Sequence, residues 1–177
     1  MRGQLGGRAQ TGWPVMTDSL ESESNPSPTP ASDRTTATDA LWDPCTLGPD
    51  VWRRIGVDPS TLSPRIAGFD RVDGFKRCGG VDALRTYAID VWSQLHTIDD
   101  FRRKETGTEF IPITIADRDG FRYRPRSDHS GDQCNLIFPA VRGSYSVDVL
   151  RLDPRARTSP AERVVEVAEI VVPMLPD

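Results

Sequence analysis

Residues 134–152, CNLIFPAVRGSYSVDVLRL, decide the fold of this chain. Cys134, Leu136 and Phe138 share one face of an alternating pattern, and a second alternating segment follows Gly143. Successive side chains of a strand point to opposite faces of a sheet, so this spacing is typical of strands with one buried face. The stretch therefore predicts two strands separated by a turn.

Further strands are predicted upstream of this stretch. The strand-like segments there are 84–92 (LRTYAIDVW), 110–116 (FIPITIA) and 120–125 (GFRYRP). Turn-forming residues follow at 117–120 and at 127–131. In the first of these segments, Tyr87, Ile89 and Val91 fall on one face, as expected of a half-buried strand.

Three segments carry helix signatures. They are 48–59 (GPDVWRRIGVDP), 97–103 (TIDDFRR) and 159–176 (SPAERVVEVAEIVVPMLP). The last is the best defined, because Ser159 and Glu162 have the spacing of a capping box and Pro160 suits the first helical position. This helix should lie across the sheet and end near Pro173. The sequence thus predicts an α+β fold, a mostly antiparallel sheet with helices packed on one face, including a C-terminal helix.

The first 40 residues differ in composition from the rest of the 177-residue chain. Between residues 17 and 40, Ser, Thr and Pro occupy 13 of 24 positions. Such a segment buries too little apolar surface to offset the entropy lost when it is ordered. We expect a disordered Ser/Thr/Pro-rich tether over residues 1–40 and a single α+β domain over residues 41–177.

Charge argues against a nucleic-acid partner, and hydropathy argues against a membrane-spanning segment. The net charge of −4 and the absence of Lys/Arg runs indicate no nucleic-acid partner. The longest apolar stretches fall far below the ~20 residues that span a bilayer. The chain begins MRGQLGGRAQ, without an apolar run of signal-peptide length.

Cys45, Cys78 and Cys134 are the candidate reactive or bridging residues. None has C-x-x-C spacing, and His96 and His129 are too far apart for H-x-x-x-H, so no metal or cofactor site is predicted. We expect the Cys134 side chain in the core, where apolar surroundings raise a thiol pKa and weaken the nucleophile. Three disulfide pairings are possible, and the sequence alone does not decide among them.

An enzyme is the alternative that these residues allow. A thiol-dependent or hydrolytic enzyme would use Cys45 or Cys134 with His129 as its base. Against this, residues 127–132, SDHSGD, have the composition of a turn. Two solvated aspartates beside a loop histidine explain that composition equally well.

Several motifs of the predicted domain resemble one known family. They are 41–80 (LWDPCTLGPDVWRRIGVDPSTLSPRIAGFDRVDGFKRCGG), 113–125 (ITIADRDGFRYRP), 132–149 (DQCNLIFPAVRGSYSVDV) and 169–177 (EIVVPMLPD). Their order and spacing resemble the actinobacterial lipoprotein family known as domain of unknown function 3558. The resemblance implies an exported, usually lipid-anchored cell-envelope protein. Membrane contact would then occur only through a lipid anchor that is missing from this chain, and we expect a start placed too far downstream of the export signal.

The resemblance also implies a disulfide. Gly80 stands where family members usually have Trp, and Ala161 aligns with a fourth cysteine that many of them carry. If the family pairs its outer and its inner cysteines, Cys78 bonds with Cys134 and Cys45 is left unpaired. Such a bridge would stabilise the domain by roughly 4 kcal/mol on the chain-entropy estimate.

The leading functional hypothesis is non-catalytic binding. An envelope domain of this kind would bind a protein, glycan or lipid partner through the sheet face or through a groove beside the last helix. Arg122, Arg124 and Arg126 alternate and are predicted to form a basic stripe on one strand face, a possible contact for anions or headgroups. Of the four tryptophans, Trp52 and Trp92 are predicted in the core, and Trp13 and Trp42 are possible partner contacts.

Overall fold

The computed structural model of this chain describes residues 31–177. The part of the predicted tether up to residue 30, with Trp13, lies outside the described residues. The strands are β1 (Phe75–Val81), β2 (Tyr87–Gln94), β3 (Ile111–Ile115), β4 (Arg118–Tyr123), β5 (Gln133–Pro139) and β6 (Ser144–Arg151). The α-helices are α1 (Ala31–Asp39), α2 (Pro49–Arg54), α3 (Ile98–Lys104) and α4 (Pro160–Val171). Short 3-10 turns occupy Pro44–Thr46, Pro59–Thr61 and Val172–Met174.

The six strands form one sheet in the order β1-β2-β6-β5-β4-β3. Every neighbouring pair is antiparallel. Together with the helices, this confirms the predicted α+β fold with a mostly antiparallel sheet. The strands predicted at 84–92, 110–116, 120–125 and 134–152 are all present.

Two tight turns connect neighbouring strands. Between β3 and β4, Ala116 and Asp117 both have positive φ, 50° and 62°, as a two-residue turn of type I′ requires. The observed turn therefore starts one residue before the predicted turn at 117–120, and residues 118–120 of the predicted turn belong to β4. Between β5 and β6, Gly143 has a φ of +81°, and a Cβ atom there would come within 1.9 Å of the Gln94 carbonyl oxygen. Only glycine fits that position.

The predicted helix starts are confirmed in atomic detail. In α4, the Ser159 side chain accepts from the Glu162 backbone N–H, and the Glu162 side chain accepts from the Ser159 backbone N–H. Thr97 and Asp100 form the same reciprocal box at the start of α3. The last α-helix ends at Val171, two residues before Pro173, as predicted.

One side of the sheet, here called the core face, is covered by α4 and α2. Its buried side chains come from alternate positions of the central strands and from the apolar stripes of the two helices. They include Trp52, Ile55, Ile89, Val91, Leu136, Phe138, Val147, Val149, Val164, Val167, Ala168 and Val171. Trp52 is fully buried, and its Nε1–H donates to the Leu47 carbonyl oxygen at 3.1 Å, so its predicted core position is confirmed. Cys134 is also buried in this core, as predicted.

The predicted disulfide between Cys78 and Cys134 is wrong. Cys45 is bonded to Cys78, with Cα atoms 5.0 Å apart, and Cys134 is a buried free thiol. Cys78 and Cys134 share the core face, but β2 and β6 lie between their strands. Three strand spacings separate their backbones by about 14 Å, far beyond the reach of a disulfide.

The predicted tether extends too far toward the domain. Residues Ala31–Asp39 form α1, and Thr38 in its last turn is buried. The Thr38 hydroxyl accepts from the Gly74 backbone N–H at 2.7 Å, and the Asp39 carboxylate pairs with Arg71 at 2.7 Å. Composition could not reveal this helix, because its docking contacts come from a loop about 35 residues away in sequence.

Candidate binding site

The side of the sheet opposite the core face carries polar residues in register across the strands. Asp90 lies opposite Asp148, and Asp148 lies opposite Asn135 on the next strand. Asn135 in turn lies opposite Tyr123 on β4. We call this side the open face, and this line of four residues its polar row. Because alternate residues of a strand share a face, the same strands that build the apolar core also build this row.

A cavity of about 440 Å³ lies on the open face, a volume within the usual range of ligand pockets. Its floor consists of side chains from β2, β5 and β6, and α3 with the segment after β4 forms its wall. The lining residues are Phe75, Trp92, Gln94, His96, Asp100, Phe101, Lys104, Glu105, Tyr123, Pro125, Ser127, Gln133, Asn135, Ser146 and Asp148. Helices α2 and α4 lie on the core side, whereas α3 approaches the other side and turns part of an open sheet into a concave site.

Hydrogen bonds hold the neutral polar side chains of the floor in place. The Gln133 amide donates to Asn135 Oδ1 at 3.1 Å, and the Asn135 amide donates to the Tyr123 hydroxyl at 3.4 Å. At the other end, the Gln94 amide donates to Ser144 Oγ at 3.2 Å. The Ser144 hydroxyl donates to the His96 carbonyl oxygen at 2.6 Å. A floor connected in this way is preorganised, since few of its side chains are free to rotate.

The two aspartates of the polar row have different environments. Asp90 accepts from Arg77 at 2.5 Å, yet burial raises the pKa of its carboxyl above the usual value. Burial and the neighbouring Asp90 charge raise the pKa of Asp148 to about 8. Ser146, Arg77 and Trp92 act in the opposite direction, with smaller effects. At neutral pH the Asp148 carboxyl is therefore mostly protonated and can donate a hydrogen bond.

Two buried polar atoms at the cavity form no hydrogen bond of normal geometry within residues 31–177, although the Trp92 and Asp148 side chains lie close enough to interact. They are the indole Nε1 of Trp92 and Oδ1 of Asp148. Trp92 was predicted in the core, but it lies half-buried on the open face, so that prediction is wrong. Residues of β2 alternate between buried and half-buried positions from Tyr87 to Trp92, and the alternation that places Val91 in the core sends Trp92 to the other face. Buried polar atoms are usually paired, so these two mark a place where the fold leaves hydrogen-bonding capacity unused.

The charged side chains at the mouth of the cavity already have partners. Asp100 Oδ2 accepts from the backbone N–H and hydroxyl of Thr97, and Oδ1 pairs with Arg103. Glu105 Oε2 accepts from the Arg126 backbone N–H at 2.6 Å. Lys104 is exposed. The mouth thus carries charges of both signs and is not a site for one kind of ion.

The predicted basic stripe does not form on one strand. Arg122 lies in β4 and shares the core face with Leu136, its register partner on β5. Strand β4 ends at Tyr123, so Arg124 and Arg126 lie beyond it, and Arg124 pairs with Asp128 at 3.3 Å. The alternation of these arginines is real in sequence, but Pro125 ends the strand that would align them. Binding by these three residues stays a prediction.

The stretch around His129 is a turn held by Asp128. Asp128 Oδ1 accepts from the backbone N–H groups of Gly131 and Asp132, and Oδ2 accepts from that of Gln133. Although burial works against them, these bonds lower the pKa of the Asp128 carboxyl. The pattern explains why Ser, Asp and Gly cluster at 127–132, because one carboxylate accepts from three successive backbone N–H groups of the turn.

The structure does not assemble the thiol site that the alternative hypothesis requires. Cys45 is oxidised in the disulfide, and Cys134 lies in the core, where burial raises the pKa of its thiol. His129 is exposed in its turn. Neither cysteine is therefore an activated nucleophile beside this histidine.

Within residues 31–177, no group of three or more His, Cys, Asp or Glu side chains has the arrangement of a metal site. None of the helices there combines the length and the apolar character needed to cross a membrane.

The cavity is the functional feature that sequence reasoning missed. A usable signal was present, because Ser146 and Asp148 alternate with the apolar Val147 and Val149 and so predict a polar second face. No comparable pattern indicates that α3 covers part of that face. Without the wall, a polar face is simply a solvated one.

Comparisons with known proteins identify a family and no characterised relative. No curated protein and no solved structure matches the chain. The model of one family, described as Protein of unknown function (DUF3558), matches residues 7–174. That match spans nearly all of the 177 residues and includes the disulfide, the sheet and α4. The chain therefore belongs to the DUF3558 family of proteins of unknown function.

Proposed function

We propose that this chain is a non-catalytic binding domain whose ligand occupies the cavity on the open face. One observation carries the proposal: Trp92 Nε1 and Asp148 Oδ1 are buried at the cavity without a hydrogen-bond partner among the described residues. Leaving such atoms unpaired costs on the order of 1–3 kcal/mol each. An occupant that pairs them would recover part of that cost.

The construction of the cavity supports binding more than catalysis. Its floor combines ring and amide side chains on rigid strands, and its polar groups are linked to one another. Rigid apolar walls with a few fixed polar groups are typical of ligand sites. A catalyst would need a nucleophile or base close to its partner, and the cysteines and His129 do not supply that pair.

The disulfide supports an extracytoplasmic location. Disulfides persist in oxidising compartments and are rare in the cytosol. The Cys45–Cys78 bond is compatible with such a location, as an exported envelope protein would require. Among the protein, glycan and lipid partners expected for such a domain, a concave cavity of this size favours a compact ligand group over a flat protein surface.

The test is a binding screen that reports on the cavity itself. In a ¹⁵N-labelled full-length chain, the Trp92 indole N–H signal is assigned by its loss in Trp92→Phe. Four probes are then titrated: methyl α-D-glucopyranoside, sodium acetate, ethylammonium chloride and lysophosphatidylcholine below its micelle concentration. We expect at least one probe to shift the Trp92 signal in a saturable way.

Trp42 provides the matched control. It is half-buried and packs edge-on against Tyr145, away from the cavity lining. Its indole signal, assigned through Trp42→Phe, should not move with the probe that shifts Trp92. If no probe moves the Trp92 signal, or if all indole signals move together, the cavity is not a binding site and the proposal fails.

A further inference from the structure

We infer that the cavity binds a neutral, hydroxyl-rich group such as a sugar ring, with a ligand hydroxyl accepting from Trp92 Nε1–H and donating to the Asp148 carboxyl. This inference rests on the proposed binding function and names its ligand class. It is built on the two unpaired atoms, the rings around them and the charges at the mouth.

A hydroxyl group matches the unpaired atoms because it donates and accepts at once. The indole N–H of Trp92 can only donate, whereas Asp148 Oδ1 can accept. Trp92 and Asp148 both lie on the open face of the β2–β6 pair. Trp92 lies opposite Ser146, which is two residues before Asp148 on β6. Both atoms are shielded from water, so binding requires that the side chains covering Trp92 Nε1 and Asp148 Oδ1 move when the ligand enters.

Rings around the floor supply the apolar contact that a sugar ring uses. Phe75 packs near Trp92, with ring centroids 6.3 Å apart, and near His96, with centroids 5.1 Å apart. Phe101 packs near His96 and near Tyr123, with ring centroids 6.4 Å apart in both pairs, so the rings form one continuous series. Each ring offers a flat apolar surface, and amide side chains line the same cavity. A group with both C–H faces and hydroxyl edges fits this combination.

The charges around the site argue against an ionic ligand. Arg77 is bound to Asp90, Asp100 to Arg103 and Thr97, and Glu105 to the Arg126 backbone. An anion would meet the carboxylates of Asp100 and Glu105 at the mouth. A cation would meet the Trp92 N–H, which cannot accept from it, and the exposed Lys104 at the mouth.

An acyl chain is also a poor match. It would cover the amides of Gln94, Gln133 and Asn135 without bonding to them, and it would leave Trp92 Nε1 unpaired. Covering polar groups without a partner costs free energy that the apolar contact must first offset. The floor therefore selects a ligand that can form hydrogen bonds.

The experiment follows the Trp92 indole signal of the labelled full-length chain. The probes are methyl glycosides of D-glucose, D-galactose and D-mannose, together with myo-inositol, each titrated in the millimolar range. We expect at least one of them to shift the Trp92 signal downfield and to saturate. Acetate, ethylammonium and lysophosphatidylcholine should leave it in place.

Two variants test the assigned contacts. Asp148→Ala should weaken binding of the active probe by about tenfold, the effect of one lost hydrogen bond of 1.4 kcal/mol. Asp148→Asn keeps an acceptor and a donor and should retain most of the affinity. Ser60→Ala, in a 3-10 turn outside the cavity lining, is the control and should bind as the native chain does. Circular dichroism of each variant shows whether it is folded.

The outcomes separate this inference from the proposed function. If an ionic or lipid probe shifts Trp92 and no neutral polyol does, the cavity binds a ligand but the hydroxyl inference is overturned. If a polyol binds equally well to the native chain and to a folded Asp148→Ala variant, the assigned contact is wrong. If no probe of any class shifts Trp92, the proposed function fails with it.

Discussion

Asp90 and Asp148 lie directly opposite each other on β2 and β6, in the middle of the sheet. Like charges in such a pair repel, and the Arg77 guanidinium bonds to Asp90. Burial and the Asp90 charge raise the pKa of Asp148 to about 8, so the Asp148 carboxyl is mostly protonated at neutral pH. This raised pKa makes the stability of the domain depend on pH.

We expect stability to fall as the pH rises from about 4 to about 8. The pKa of Asp148 is raised to about 8, whereas the unfolded chain has an ordinary Asp pKa. Below pH 4 both states are protonated at this residue, and between the two pKa values only the unfolded state releases the proton. The free energy of unfolding should therefore decrease by up to about 1.4 kcal/mol per pH unit in this window.

Urea denaturation of Asp148→Asn across the same range checks this prediction. The amide cannot ionise, so the variant should lose most of the slope and should be more stable than the native chain near pH 8. Asp50→Asn is the control, because the Asp50 side chain is 90% exposed. A slope that is unchanged in Asp148→Asn would assign the pH dependence to another group.

Replacing Arg77 should lower the free energy of unfolding, because the mostly buried Asp90 carboxyl would lose its ion-pair partner. Arg77 also donates to the carbonyl oxygens of Ser63 and Arg65, so Arg77→Met loses several contacts. Because both side chains are mostly but not fully buried, we expect a loss of about 2–3 kcal/mol near neutral pH. A double-mutant cycle with Asp90→Asn isolates the ion pair from the carbonyl contacts. Additive effects of the two substitutions would show that the pair itself contributes nothing.

The disulfide assignment predicts a specific thiol inventory. Peptide mapping without reduction should join Cys45 to Cys78 and leave Cys134 as the free thiol. Cys134 should resist alkylation until the chain is unfolded, because it is buried and burial raises its thiol pKa. Cys45→Ser should lower the free energy of unfolding by roughly 2–4 kcal/mol. A peptide that links Cys134 to either other cysteine would refute the assignment.

Gly143 and Gly107 form a matched pair for testing close packing. Both have positive φ, +81° and +88°, so alanine strains the backbone at each. At Gly143 the new Cβ would also come within 1.9 Å of the Gln94 carbonyl oxygen, whereas at Gly107 it would meet nothing within 4 Å. Gly107→Ala should cost about 1 kcal/mol. Gly143→Ala should cost clearly more, and equal costs in thermal unfolding would show that the β5–β6 turn is not tightly packed against β2.

Local signals in the sequence predicted most of the fold. The capping box of α4 needs only Ser159, Pro160 and Glu162, and the alternation in β2, β5 and β6 shows which side chains enter the core. Each of these signals lies within a few residues, where helix and strand periodicity act. They were sufficient for the fold class and for most of the elements.

The features that failed to follow from the sequence depend on distant contacts. The disulfide was misassigned because sequence does not reveal that two strands separate β1 from β5. Trp92 was misplaced because a large aromatic residue in a strand is usually taken for core, and its actual neighbours include Phe75 and Arg77 of β1 and Ser146 of β6. The cavity needs the strand order and the position of α3 together, and neither is encoded locally.

The Cys45–Cys78 bond has a mechanical consequence. It joins the segment after α1 to β1, the edge strand of the sheet. A pulling force applied upstream of residue 45 can detach α1 and Trp42, but at Cys45 the load passes through a covalent bond into β1. The force then acts on the hydrogen bonds between β1 and β2, and residues 46–77 carry no load, because the disulfide closes them into a loop.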